Sequence, residues 1–187
     1  MIDYKIIDNS IQYYESIGYQ RIESPWTVTK SVSGITKPEG KIDWEINGKN
    51  KVLVASGEQS FLYLYLKGFL PKGKYQTTTP CFRDEVFDKF HTKYFIKNEL
   101  IITDKVNQDE LSKMINQCKK FFEKELKHDV NVRETDIGYD IEVRGIEIGS
   151  YGIRSCEYLD WIYGTGVAEP RLSTIKNIIK NESKRFS

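Results

Sequence analysis

Between Asp129 and Arg154 the sequence runs DVNVRETD, GYDIEVRG and IEIGSYGIR, three strand-length pieces in succession with no helix-length segment between them. Parallel neighbours need a crossover of about a dozen residues, so strands that follow one another this closely must pair antiparallel. A doubly wound or barrel α/β fold is thereby excluded for this part of the chain. The frame is an antiparallel sheet, and the remaining segments must cover it.

Those segments are legible in turn. DNSIQYYESIGY has capping residues from Asp8, then Ile11, Tyr14 and Ile17 at helical spacing and Gly18 as a stop. YQRIESP alternates and ends at Pro25, which places it at a strand end or edge. KIDWEINGKNKVLVAS reads as a hairpin about Asn47-Gly48, with Trp44 and Ile46 before the turn and Val52 and Val54 after it. From Glu58 to Lys67 the chain is apolar almost all round, as a buried helix is. KYQTTTPCFRDE and HTKYFIKNELIIT form a second expected hairpin, joined by a short loop from Val86 to Phe90. Leu111, Met114, Ile115, Cys118, Phe121, Phe122 and Leu126 mark an amphipathic helix over Asn107 to Lys127. YGTGVAEPRLSTIKNIIKN closes the chain with a strand, a glycine-rich approach and a helix. The expectation is an α+β fold, an antiparallel β-sheet flanked by helices, in one domain spanning 1–187.

Composition removes several function classes. A net charge of +1 from 28 basic and 27 acidic residues demands no polyanionic partner. Cys81, Cys118 and Cys156 are odd in number and lack CxxC spacing, so neither a disulfide framework nor a zinc site is expected. No run has signal or membrane-span length, and the expected compartment is the cytoplasm.

Neither GxxxxGK[ST] nor GxGxxG is present, so nucleotide binding would need another cradle. PCFRDEVFDKFHTKYFIKNE offers one. Alternation by two along the expected hairpin puts Arg83 with Glu85, and His91 with Phe95. Together they supply a planar cation for phosphate, a carboxylate acceptor for an exocyclic amine, a second cation and a ring on which a base can stack.

Phe82-Arg83-Asp84-Glu85, a loop, then His91-x-x-x-Phe95 resembles motif 2 of class II aminoacyl-tRNA synthetases. Gly18-Tyr19-x-x-Ile22-x-x-Pro25 resembles motif 1, and Gly164-x-Gly166-x-Ala168-x-x-Arg171 resembles motif 3, with alanine in place of the third glycine as in seryl-type enzymes. YDIEVRGIEIGS resembles the seryl-type strand pair that carries a metal-binding carboxylate. The resemblance, shared at fold level with biotin ligases, implies ATP and Mg²⁺ as cofactors. It implies Arg83 on the α-phosphate, Glu85 on the adenine amino group, Phe95 and Arg171 on the two adenine faces, and His91 with Arg171 on the terminal phosphates. Arg83 and Arg171 would be the catalytic cations, and Glu147 with Ser150 would hold magnesium. Ser56-Gly57-Glu58-Gln59 resembles the element that binds a substrate's amino group, which assigns Glu58 to the ammonium and Gln59 and Tyr151 to the side-chain pocket.

The implied activity is formation of an acyl-adenylate from an amino acid or similar carboxylate, with tRNA or a carrier protein as acceptor and a homodimer through motif 1. No anticodon-binding domain is expected. A non-catalytic relative that senses nucleotide or amino acid, and a biotin- or lipoyl-type protein ligase, are the alternatives.

Overall fold

The computed structural model describes residues 1–86 and 88–183; Phe87, within the expected loop, lies outside the described residues. Helix α1 (Tyr4–Ser16) leads into β1 (Gln20–Arg21), followed by β2 (Thr27–Thr29), α2 (Lys30–Thr36), β3 (Lys51–Leu53) and α3 (Gly57–Leu66). Strands β4 (Lys74–Phe82) and β5 (Tyr94–Ile102) precede α4 (Gln108–Leu126). Then come β6 (Asn131–Thr135), β7 (Gly138–Val143), β8 (Ile146–Cys156), β9 (Leu159–Glu169) and α5 (Arg171–Ser183).

Seven strands form one sheet in the order β1-β4-β5-β9-β8-β7-β6. Every pair in it is antiparallel except the short edge pair β1 and β4. The expected α+β architecture is the observed one. Helices α1, α4 and α5 bury one face through Ile7, Ile11 and Tyr14, through Met114, Cys118 and Phe122, and through Leu172 and Ile175. Among the described residues the opposite face is covered at one end, where Phe61 and Leu62 of α3 meet Val28, Val52, Tyr75, Trp161 and Tyr163. The uncovered remainder of that face is the floor of a cleft.

Local details depart from the sequence reading for identifiable reasons. Helix α1 begins at Tyr4 rather than Asp8, because Asp3 caps it by accepting from the backbone N–H groups of Lys5 and Ile6. Asn47-Gly48 does turn the chain, but only an isolated bridge between Glu45 and Val52 follows, and β3 takes β2 as its partner. Helix α2 has only Val32 and Ser33 buried, too short a stripe to register as periodicity. Strand β4 stops at Phe82 and β5 starts at Tyr94, so the connection is residues 83–93 rather than Val86 to Phe90.

Candidate active site

The cleft has a volume of about 290 Å³ and gathers Arg83, Glu85, His91, Phe95, Glu147 and Arg171 at one end. At the other end stand Glu58, Lys97, Glu99, Arg154 and Tyr163, with Ser150 and Thr165 between. Two β-bulges make this grouping possible. Residues three apart in a regular strand face opposite ways, so Glu147 and Ser150 should not share a face. Ile141 pairs with Gly149 but Glu142 pairs with Glu147, which leaves Ile148 as an extra residue and returns Glu147 to the side of Ser150. Strand β9 repeats the device. Asn98 pairs with Val167 and Glu99 with Thr165, so Gly166 is extra and both Thr165 and Ala168 line the cleft. Gly166 has no room for a side chain: a Cβ there would lie 2.9 Å from both the Asn98 carbonyl oxygen and the Tyr14 ring.

Arg83 and Glu85 lie beyond the end of β4, so strand alternation is not what brings them together. Arg83 Nε donates to the Ala55 carbonyl at 3.0 Å, its Nη1 is 3.7 Å from Glu85 Oε1, and its Cζ sits 5.1 Å above the Phe95 ring. His91 is likewise in the loop. Asp88 Oδ1 accepts from the backbone N–H groups of Phe90 and His91, each at 2.7 Å, while Oδ2 is 2.7 Å from His91 Nδ1. The bond from the His91 ring, reinforced by those two backbone bonds, holds the Asp88 carboxyl down to about 2. Arg171, the first residue of α5, donates through Nε to the Phe90 carbonyl at 3.2 Å and through Nη1 to Glu147 Oε1 at 3.4 Å. A cation at a helix N-terminus opposes the dipole, and the Glu147 carboxylate offsets that opposition.

Glu58 is 4% exposed at the inner end. Its Oε2 accepts from Arg154 Nη1 at 2.5 Å and its Oε1 from the Trp161 indole at 2.7 Å. Gln59 is spent within the cleft wall, accepting from the Ala55 N–H at 2.8 Å and donating to Ser33 Oγ at 3.1 Å. Tyr151, expected in the side-chain pocket, is on the other face. It is fully buried among the helices and donates to the Thr165 carbonyl at 2.7 Å, because odd-numbered positions of β8 beyond the bulge turn away from the cleft.

Lys97, Glu99 and Arg154 are charged cleft residues that escaped the sequence reading. Lys97 Nζ is 2.8 Å from Glu99 Oε1, and Glu99 also accepts from the Gly57 N–H at 2.8 Å. Stepping by two from Phe95 along β5 would have found both, and stepping by two from Ser150 along β8 would have found Arg154.

Burial pushes the Glu58 carboxyl up, against the opposing pull of Arg154. A carboxyl raised in the folded state contributes stability that is complete below its unfolded value near 4.3 and is lost as pH rises through the folded value. Glu58→Gln is therefore expected to flatten the decline in urea midpoint as pH rises above that unfolded value, and an unchanged pH profile would refute the assignment.

No family model and no curated protein matches the sequence. Solved structures do match the fold. Pyrrolysyl-tRNA synthetase from Desulfitobacterium hafniense superimposes with a TM-score of 0.73 at 15% identity, over 93% of this chain and 69% of that one. Seryl-tRNA synthetase from Pyrococcus horikoshii complexed with ATP gives 0.75 at 16% identity, over 93% of this chain. Cytoplasmic serine-tRNA ligase from Naegleria fowleri in complex with AMP gives 0.68 at 18% identity, over 90% of this chain. The chain spans 49% and 46% of the two seryl enzymes, about half their length. No helix among the described residues is long and apolar enough to cross a membrane. The architecture is that of class II aminoacyl-tRNA synthetase catalytic domains.

Proposed function

We propose that the cleft activates a carboxylate substrate, an amino acid or a related acid, as its acyl-adenylate at the expense of ATP. The observation that carries this reading is the convergence of Arg83, Glu85, Phe95 and Arg171 on one end of a cleft in this fold. Two of the matching structures hold ATP or AMP, which supports a nucleotide at that end.

Adenine would stack on Phe95, with Glu85 accepting from its amino group. Arg83 covers that ring. A cation over an aromatic face at a partly exposed site is worth about 0.5–1 kcal/mol. A hydrogen bond between charged groups is worth about 1.5–3 kcal/mol, so phosphate draws the guanidinium from the ring. Arg171 and His91 stand at the rim for the terminal phosphates. Among the described residues no group of three or more Asp, Glu, His or Cys can hold a metal. Glu147 and Ser150 on one face do fit Mg²⁺, which is commonly bound through one or two carboxylates together with substrate phosphates. Bound there, Mg²⁺ would neutralise phosphate charge.

A substrate carboxylate oxygen attacks the α-phosphorus, the bond from phosphorus to the β-bridging oxygen breaks, and pyrophosphate leaves with that electron pair. No proton moves, because the carboxylate is already ionised near pH 7. The chain contributes position and positive charge.

With Mg²⁺ present, the protein is expected to exchange labelled pyrophosphate into ATP in the presence of a suitable acid. ATP binding by calorimetry with no exchange across a full panel of amino and dicarboxylic acids would replace this reading with nucleotide sensing.

A further inference from the structure

The inner end of the cleft is built around one guanidinium. Glu58 holds Arg154 by a single edge through Nη1, and Glu58 is itself held by the Trp161 indole. The Arg154 Cζ lies 4.1 Å over the Tyr163 ring, which fixes the plane of the guanidinium. Tyr163 can lie flat there because its neighbour on β8 is Gly152: a Cβ on that residue would come within 2.8 Å of the tyrosine hydroxyl. Arg154 Nε and Nη2 donate to no described protein atom, and its side chain is 34% exposed toward the cleft. One edge is thus locked while the other faces the space that a substrate would fill.

The carboxylates nearby are all engaged. Both oxygens of Glu58 accept hydrogen bonds, and Glu99 is held by Lys97, by the Gly57 N–H and by the Ser56 hydroxyl at 3.4 Å. Glu58 and Glu99 are thus already committed to donors of the protein, while a preoriented fork of donors stands ready for an anion. A guanidinium with a fixed plane pairs a carboxylate through two parallel bonds, a match that a neutral side chain cannot make.

Resting on the adenylate reading above, we propose that Arg154 determines specificity by binding a second carboxylate at the far end of the substrate, so that the acid activated is dicarboxylic. Ser150 and Arg154 are four residues apart on β8, about 13 Å along the strand, and the long arginine side chain shortens the gap to be bridged. Acidic amino acids and simple dicarboxylic acids share the required chemistry, and the presence of an amine separates them.

The test is pyrophosphate exchange by the full chain with aspartate, glutamate, succinate and glutarate, against asparagine, glutamine, serine and leucine. Dicarboxylates are expected to exceed the neutral acids by about 10²-fold or more in kcat/KM, because a site that hydrogen-bonds one substrate group leaves its own donors unpaired with the analogue lacking it. In Arg154→Gln that preference is expected to vanish through the dicarboxylate value alone, with the affinity for a non-hydrolysable ATP analogue unchanged. Glu58→Gln with Arg154→Gln removes both charges together, and the same loss is expected without a buried unpaired carboxylate. Arg154→Lys should recover part of the preference.

Exchange that favours neutral amino acids, or a preference that survives Arg154→Gln, would overturn the proposal and leave adenylate formation standing. Should no acid support exchange, the adenylate reading fails and thermal shift decides for Arg154 with succinate and the ATP analogue. A rise in Tm in the wild type but not in Arg154→Gln sustains the second-carboxylate site, and no rise overturns it.

Discussion

Arg83→Ala is expected to lower kcat for pyrophosphate exchange by about 10²–10³-fold, the loss typical when one preorganised donor to developing charge is removed, about 2.7–4 kcal/mol. The Arg83 side chain does little for the fold. It is 35% exposed, gives one hydrogen bond to the Ala55 carbonyl and pairs loosely with Glu85. With the contact over Phe95 also lost, stability should fall by about 1–2 kcal/mol, small enough that lost activity is not lost protein. Arg83→Lys keeps the charge but not the fork, and an intermediate rate is expected. Steady-state exchange at saturating ATP separates kcat from KM. A change confined to KM would place Arg83 in ground-state binding, and an unchanged kcat/KM would remove it from the nucleotide site.

Tyr14→Ala should produce the largest loss of stability, about 3–5 kcal/mol, the range for deleting a fully buried aromatic ring. Tyr14 has no exposed surface and meets Tyr13, Tyr19 and Phe121 at centroid distances of 5.1, 5.7 and 5.6 Å. For a chain of this size each kcal/mol moves Tm by about 2–4 °C, so a fall of roughly 6–20 °C is expected. Tyr14→Phe keeps the ring and deletes the hydroxyl that donates to the Gly166 carbonyl at 3.1 Å. That leaves a buried acceptor unpaired, at about 1–3 kcal/mol, next to the bulge that places Thr165 and Ala168. Thermal unfolding of the two variants resolves the terms: equal losses would mean that the hydroxyl, not the ring, anchors α1 to the sheet.

Large parts of the molecule were open to reading because several local signals agreed. Helix α4 has Asn107 as its cap, which accepts from the Glu110 N–H at 2.9 Å, and an unbroken apolar stripe from Leu111 to Leu126. The succession from β6 to β9 follows from turns too short for a crossover. What stayed hidden depended on contacts between distant segments. Asp3 caps α1, but its own N–H is held by Glu169, 166 residues away, at 3.0 Å. Arg83, Glu85 and His91 were identified from residue type and spacing, yet a loop rather than a strand holds them. Glu58 was expected to face a substrate ammonium, and its pairing with Arg154, 96 residues away in sequence, leaves no local trace. Tyr151 was expected in the cleft together with Ser150, but the two are consecutive in β8 and therefore face opposite sides of the sheet.

The two bulges also divide the sheet into plates that meet along a seam. On one side of it the face-up positions are Glu147 in β8 and Ala168 in β9; on the other they are Ser150, Gly152 and Arg154 in β8 with Thr165 and Tyr163 in β9. The plates are out of phase by one residue. The positions proposed for the nucleotide and for selection of the acid therefore answer to separate countings of the same strand, and lengthening one plate by two residues re-spaces its half without inverting the other.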